Sequence, residues 1–178
     1  MAASEGMPIK GEAIRASSRG FTYIEMIIVI AVIGLLMMTS YSSFTNTLET
    51  RALDNTASEI LMAMQTAKWQ AAGTKLNHRV RFSDADGSWT FRIERESTSG
   101  TWTILPGTIP KRISSKFDVT LSLPSSQDII FLATGFVSGY QSTKNSITLA
   151  SPKLRTLNQP SQRMIRFLAG GSVQFLKS

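Results

Sequence analysis

An uninterrupted apolar block near the N-terminus constrains this chain more than any other feature. The block comprises residues 21–38, and the only charged side chain in it is that of Glu25. A run of this length is just enough to cross a bilayer as a helix. The rest of the 178-residue chain has an ordinary polar composition. The sequence therefore predicts one domain with an N-terminal hydrophobic segment, and excludes a polytopic membrane protein, a collagen-like chain and a disordered tail.

Two general interpretations explain the block only in part. A cleaved secretory signal would be cut after the apolar core, and Ser40-Tyr41-Ser42 is a weak site of that kind. A plain membrane anchor leaves Glu25 unexplained, because a carboxylate at the bilayer centre costs about 2.5–3.5 kcal/mol. Glu25 lies near one end of the block, where that cost is smaller, but it still requires a partner.

A third interpretation starts from the junction before the block. Ser18-Arg19-Gly20 is followed by Phe21-Thr22-Tyr23-Ile24-Glu25, and the basic residues before the junction favour a cytoplasmic location for that side. The junction and the apolar run resemble the class III signal of type IV pilins and type II secretion pseudopilins. The resemblance implies cleavage after Gly20 by the prepilin peptidase, N-methylation of Phe21, and a glutamate at the fifth position of the mature chain.

The position of Glu25 suggests a role in assembly. Cleavage would free an α-amine on Phe21, and mono-methylation would keep that amine protonated. In a filament, Glu25 of one subunit would then pair with the Phe21 amine of the next. At an effective dielectric constant of ~20 and a separation of ~4 Å, the pair gains about 4 kcal/mol before desolvation costs. We expect an assembly salt bridge here, and the alternative is a carboxylate that only reaches the membrane interface.

After Phe44 the sequence becomes amphipathic. Apolar residues recur at spacings of three and four, which is one face of a helix: Leu53, Ala57, Ile60, Met64, Ala67 and Ala71. No proline interrupts residues 21–72, so we predict one continuous helix with a transmembrane segment of about 21–42. The second half is expected to pack its stripe on a globular domain, with Met62 and Met64 filling the core.

From Lys75 onward the hydrophobic pattern has a period of two. Asp86-Gly87 and Gly170-Gly171 each lie between alternating runs, as in β-hairpins, and about eight short strands are predicted. The fold class is therefore predicted as α+β, with a long N-terminal helix packed on a C-terminal all-β domain of antiparallel sheets. The expected boundaries are a leader peptide at 1–20, the helix at 21–74 and the β domain at 75–178.

The layout after the helix resembles the GspH/FimT group of minor pilins and pseudopilins. The helix end at residues 61–73, Gly135 and the strands around Gly170-Gly171 carry this looser resemblance. It implies a pilin-like structural subunit of a type II secretion pseudopilus or a type IV pilus, at the filament tip or initiation complex, supporting protein secretion. The implied partners are the prepilin peptidase, other pilins or pseudopilins contacted through the helix, and the bacterial inner membrane, with the C-terminal domain in the periplasm.

Enzymatic and metal-binding functions find little support in the sequence. The chain has no Cys and one His, His78, which is expected to be an exposed strand residue. Asp84, Asp86 and Gly87 resemble the start of a calcium loop, but Arg95 occupies the position of the closing glutamate, so a plain hairpin turn is expected. We predict no catalytic residues, no metal and no cofactor.

The C-terminal part of the chain is basic. After Asp128 there is no acidic residue, whereas the bases number six: Lys144, Lys153, Arg155, Arg163, Arg166 and Lys177. These residues are candidate contacts either to acidic neighbouring pilins or to DNA phosphates, because a cluster of bases without acids attracts polyanions. The alternative function is therefore a type IV pilus minor pilin that binds DNA for uptake.

Overall fold

The computed structural model describes residues 20–98 and 100–177, except for the side chains of residues 39–43. The predicted leader peptide, apart from Gly20, lies outside the described residues. The chain divides into two compact units, one ending at Tyr41 and the other beginning at Ser42.

A single long helix, α1, contributes to both units. It covers Tyr23–Thr74 without interruption, as the absence of proline predicted. Thr22 caps its start: the amide of Glu25 donates to Thr22 Oγ1 at 3.3 Å and the amide of Met26 donates to the Thr22 carbonyl at 3.2 Å. Lys75, with a φ of 59°, ends it in the left-handed conformation.

The described part of the first unit consists of residues 20–22 and of α1 as far as Tyr41. Its side chains are exposed throughout residues 20–38. Among the described residues, no helical stretch combines the length and the apolarity that a membrane crossing requires.

The second unit contains two antiparallel sheets and a short helix besides the rest of α1. Their bounds in chain order are β1 His78–Ala85, β2 Ser88–Glu96, β3 Trp102–Ile104, β4 Lys111–Arg112, β5 Asp118–Ser122, β6 Asp128–Phe131, β7 Ser146–Ala150, α2 Pro152–Thr156, β8 Gln162–Phe167 and β9 Val173–Lys177. The first sheet has the order β3-β2-β1-β6, with β4 also paired to β2, and the second has the order β5-β7-β8-β9.

Both predicted hairpins are present. Asp86 and Gly87 join β1 to β2 with φ values of 54° and 74°, the positive values that a type I′ turn requires at both central positions. This two-residue turn fixes the register, so that Arg81 lies opposite Arg92 and His78 opposite Arg95. Gly171, with a φ of 70°, lies in the turn between β8 and β9.

The core forms where the apolar stripe of α1 meets the inner faces of both sheets. Every residue of the predicted stripe is fully buried, and it belongs to one cluster with side chains such as Phe82, Phe131, Ile147 and Phe167. The α+β prediction is therefore confirmed. Met64 fills the core as expected, but the expectation for Met62 was wrong, since it is 62% exposed on another side of the helix.

Two elements escaped the sequence prediction. Strand β4 has only two residues, in a segment that its prolines and glycines marked as a connector. Helix α2 has five residues, with Ser151 as its cap and a proline at its start. A Ser-Pro pair is a recognised helix-start signal, so α2 could have been anticipated, whereas a two-residue strand has no periodicity to detect.

Candidate functional site

The three residues predicted at the processing site lie close together at the start of α1. Gly20, Phe21 and Glu25 line the same surface depression. The Phe21 side chain is 78% exposed, and Glu25 lies in the first helical turn. A carboxylate at this place interacts favourably with the positive end of the helix dipole. Cleavage, methylation and the salt bridge of Glu25 remain predictions.

Large apolar side chains cover the helix beyond this site. Those exposed over 44–80% of their surface include Ile24, Ile28, Leu35 and Met38. A contiguous apolar surface of this kind marks a contact with a membrane or with other proteins, because exposure to water is unfavourable. The first unit therefore presents an exposed apolar helix immediately after the predicted processing site.

The structure separates the six C-terminal bases into two groups. Lys144, Lys153, Arg155 and Arg166 are exposed, with Lys153 and Arg155 on α2. Arg163 is 2% exposed. Lys177 is half-exposed, but its ammonium group forms an ion pair with a carboxylate. Arg163 therefore cannot reach a partner at the surface, and the candidate contact surface is reduced to the four exposed bases.

The partner of Arg163 and Lys177 is Asp54, on α1. Arg163 Nε donates to Asp54 Oδ1 at 2.5 Å, and Lys177 Nζ donates to Asp54 Oδ2 at 3.0 Å. Burial by itself raises the pKa of Asp54, but the hydrogen bonds and charges of Arg163 and Lys177 outweigh it and hold that pKa below its ordinary value. No sequence signal identified this contact, because 109 positions separate Asp54 from Arg163.

The prediction for His78 was wrong, because its side chain is fully buried. Nδ1 lies 3.0 Å from the carbonyl oxygen of Leu76, to which it can donate, and Nε2 has no hydrogen-bond partner among the described residues. Burial lowers the pKa of His78, and the charge of Arg95 lowers it further, although the Leu76 bond acts in the opposite sense. Strand alternation carried the missed signal, since His78 has the same parity as the buried Val80 and Phe82.

The calcium-like segment is the hairpin turn described above. Asp84 and Asp86 are both exposed there. Within residues 20–98 and 100–177, no three acidic or histidine side chains come together in a way that could hold a metal ion.

The processing site and the fold agree with known proteins. The family model for the prokaryotic N-terminal methylation motif matches residues 15–41, which include Gly20, Phe21 and Glu25. The chain therefore carries a prepilin motif, followed by a helix packed on antiparallel sheets.

Solved structures extend the likeness to the second unit. Two structures of the minor pseudopilin EpsH from the type 2 secretion system of Vibrio cholerae match with TM-scores of 0.53 and 0.51, at 14% and 10% identity. They cover 70% and 71% of this chain and 96% and 94% of their own. The type IV minor pilin FimU of Pseudomonas aeruginosa matches with a TM-score of 0.50 at 16% identity, over 72% of this chain and 90% of its own. No curated protein sequence matches the chain.

Proposed function

We propose that this chain is a structural minor subunit of a type II secretion pseudopilus or a type IV pilus. It is made as a prepilin, cleaved after Gly20 by prepilin peptidase and N-methylated at Phe21. Its helix holds it in the bacterial inner membrane, with the second unit in the periplasm, until it enters the filament tip or initiation complex. Protein secretion is the role that we propose first, and the prepilin motif and pilin-like fold support this class over an enzyme.

The observation that carries the proposal is the exposed apolar helix that lies within the methylation motif, directly after the predicted cleavage site. Its side chains have no core of their own to enter, as the exposure of residues 20–38 shows. Burying apolar surface gains about 25 cal/mol per Å². A filament of packed helices provides that burial once the subunit leaves the bilayer, and removal of the leader determines where the packed helix begins.

Mass spectrometry of the chain purified from a bacterium with a prepilin peptidase tests the processing step. We expect a mature chain that starts at Phe21, lacks residues 1–20 and carries one additional methyl group on its α-amine. In a strain without the peptidase, the leader should remain attached. An intact leader in the peptidase-positive strain, or a cut near Ser42, would refute the proposal.

The role proposed for Glu25 predicts a separate result. In Glu25→Gln the side chain keeps its size but loses its charge, so processing should be normal while incorporation into sheared filaments falls at least about tenfold. That decrease corresponds to about 1.4 kcal/mol of the pair energy. Glu59→Gln is the matched control, because Glu59 is an exposed residue of the same helix. Normal incorporation of Glu25→Gln would show that no assembly salt bridge forms.

DNA uptake is the second candidate function, and four exposed bases support it: Lys144, Lys153, Arg155 and Arg166. If DNA binds there, the affinity of the full chain for a duplex should fall steeply with salt, and Lys153→Gln/Arg155→Gln should make that dependence shallower by about two released ions. Gel-shift titrations at several salt concentrations measure both. The absence of a shift even at low salt would exclude this function.

A further inference from the structure

The outer face of the first sheet carries a group of arginines apart from the basic C-terminal residues. We call Arg81, Arg92 and Arg112 the arginine cluster. Strand alternation places them on this face, because their neighbours Phe82, Phe91 and Ile113 are buried on the core side. The side chains of Arg81 and Arg92 are 38% and 37% exposed, and Arg112 is exposed as well.

Strand pairing brings the cluster together. Arg81 on β1 lies directly opposite Arg92 on β2. Arg112 on β4 lies opposite Thr90, two residues from Arg92. Directly opposed residues have Cβ atoms about 4.5–5.5 Å apart and diagonal ones about 7–8 Å, so like charges in these places repel. The hydroxyls of Ser83 and Thr90, 2.8 Å apart, lie beside them on the same face.

Nearby carboxylates pair with only some of the guanidinium N–H groups of the arginine cluster. The neighbouring base on β1 is Arg79, whose guanidinium donates hydrogen bonds to Glu94 and Asp128. The same guanidinium stacks on the ring of Trp102, 4.3 Å from its centroid. Arg92 donates its Nε to Glu94 at 2.6 Å. Arg81 Nε is 4.0 Å from Asp128 Oδ1, and that buried oxygen has no hydrogen-bond partner among the described residues.

Guanidinium donors therefore remain available on this face. The side chain of Arg112 makes no hydrogen bond or ion pair with another described residue, and the 4.0 Å between Arg81 Nε and Asp128 Oδ1 exceeds a hydrogen-bond distance. Four guanidiniums on this face, including that of Arg79, meet three carboxylates, those of Glu94, Glu96 and Asp128. A ligand with two or more negative charges would relieve their mutual repulsion and accept their free N–H groups.

We propose that the arginine cluster is a docking surface for an acidic segment of another protein, bound through its carboxylates. The remainder of this face has the composition of a protein interface, since Trp102 and the 46% exposed Ile104 lie beside the charges. This inference goes beyond filament assembly through α1, and its test does not require a filament.

Charge complementarity favours an acidic protein segment over a second copy of the chain and over a nucleic-acid duplex. A second copy of the chain is disfavoured, because each copy has a formal net charge of +7. A long duplex is disfavoured because Glu94, Glu96 and Asp128 share the face and would repel a continuous row of phosphates. An acidic peptide can place its carboxylates at the cluster alone.

Calorimetric titration of the full chain in a neutral detergent with blocked hexaglutamate tests the proposal. We expect saturable binding at low salt, and Arg81→Gln/Arg112→Gln should weaken it at least about tenfold. Lys153→Gln/Arg155→Gln removes the same charge from α2 and should leave the affinity within about twofold. Arg112→Gln alone removes a side chain that makes no hydrogen bond or ion pair with another described residue. It should weaken binding by about threefold and provides the test if the double variant does not fold.

Three results would overturn the proposal. The first is no binding of hexaglutamate to the unaltered chain, and the second is an equal loss in both double variants, which would indicate only net charge. The third is tighter binding of a twelve-base-pair duplex than of hexaglutamate, lost in Arg81→Gln/Arg112→Gln, which would assign the cluster to phosphate. None of these results bears on cleavage after Gly20, so failure here is distinguishable from failure of the proposed function.

Discussion

Replacing Asp54 with Asn is expected to lower the free energy of unfolding of the second unit by about 2–3 kcal/mol at neutral pH. The substitution leaves the guanidinium of Arg163, whose side chain is 2% exposed, without its counter-charge. Removing one partner of a fully buried pair costs about 3–5 kcal/mol, and the 29% exposure of Asp54 reduces that value. Urea unfolding of the detergent-solubilised chain, followed by tryptophan fluorescence, measures the change.

The effect of Asp54→Asn should depend on pH. The pKa of Asp54 is lower in the folded than in the unfolded chain. At an acidic pH between these two pKa values, the folded chain therefore binds fewer protons than the unfolded chain does. The stability that Asp54 contributes is therefore complete above the ordinary aspartate pKa and is lost as the pH falls through the lowered one. The difference in stability between Asp54→Asn and the unaltered chain should therefore narrow as the pH falls below the ordinary aspartate pKa.

An exposed ion pair on the same helix provides the control. Glu59 and Lys111 are 3.4 Å apart, and about half of each side chain is exposed. Glu59→Gln should cost below about 1 kcal/mol, because solvent screens such pairs. Equal stabilities for Asp54→Asn and the unaltered chain would contradict the importance assigned to the contact with Arg163.

The sequence predicted those parts of the fold that follow from local periodicity. The stripe that includes Leu53 and Met64 identified the buried face of α1, because helical spacing alone selects it. Asp86-Gly87 identified the first hairpin, because both residues adopt positive φ readily. The processing site, which stays a prediction, was inferred in the same way from residues adjacent in the chain.

Some tertiary contacts could be predicted from the sequence, whereas others are visible only in the structure. The two-residue turn at Asp86-Gly87 already places Arg81 opposite Arg92, so two of the three residues of the arginine cluster could have been derived from the sequence. Arg112 could not, because β4 is too short to show alternation. The partner of Arg163 could not either: strand alternation gives Arg163 the parity of the buried Ile165 and Phe167, but no pattern links it to Asp54.

Replacing Gly171 with Ala is expected to destabilise the second unit by about 3 kcal/mol or more. A Cβ at this position would overlap the carbonyl oxygen of Gly135 and approach Lys68 Cδ and Cε to 3.1 and 3.2 Å. The φ of 70° adds about 1–2 kcal/mol for a residue with a side chain. The lysine stem can move, but the carbonyl is backbone, so the turn must shift.

That shift would separate two turns that hold the sheets together. Gly135 follows β6 of the first sheet, and Gly171 lies between β8 and β9 of the second. The amide of Val137 donates to the carbonyl of Ala169 at 2.9 Å, which joins the two turns directly. Displacement of either backbone lengthens this bond, and an unsatisfied buried backbone group costs about 1–3 kcal/mol.

Two further glycines separate backbone strain from steric overlap. Gly170→Ala has neither a positive φ nor an atom within 4 Å of its new Cβ, so its stability should stay within about 0.5 kcal/mol of the unaltered chain. Gly107→Ala has a φ of 79° and open space, and should lose only the strain of about 1–2 kcal/mol. Thermal unfolding followed by circular dichroism should therefore show that Gly171→Ala is much less stable than Gly107→Ala. If both variants lost the same stability, strain alone would account for Gly171, and the close approach to Gly135 would contribute nothing.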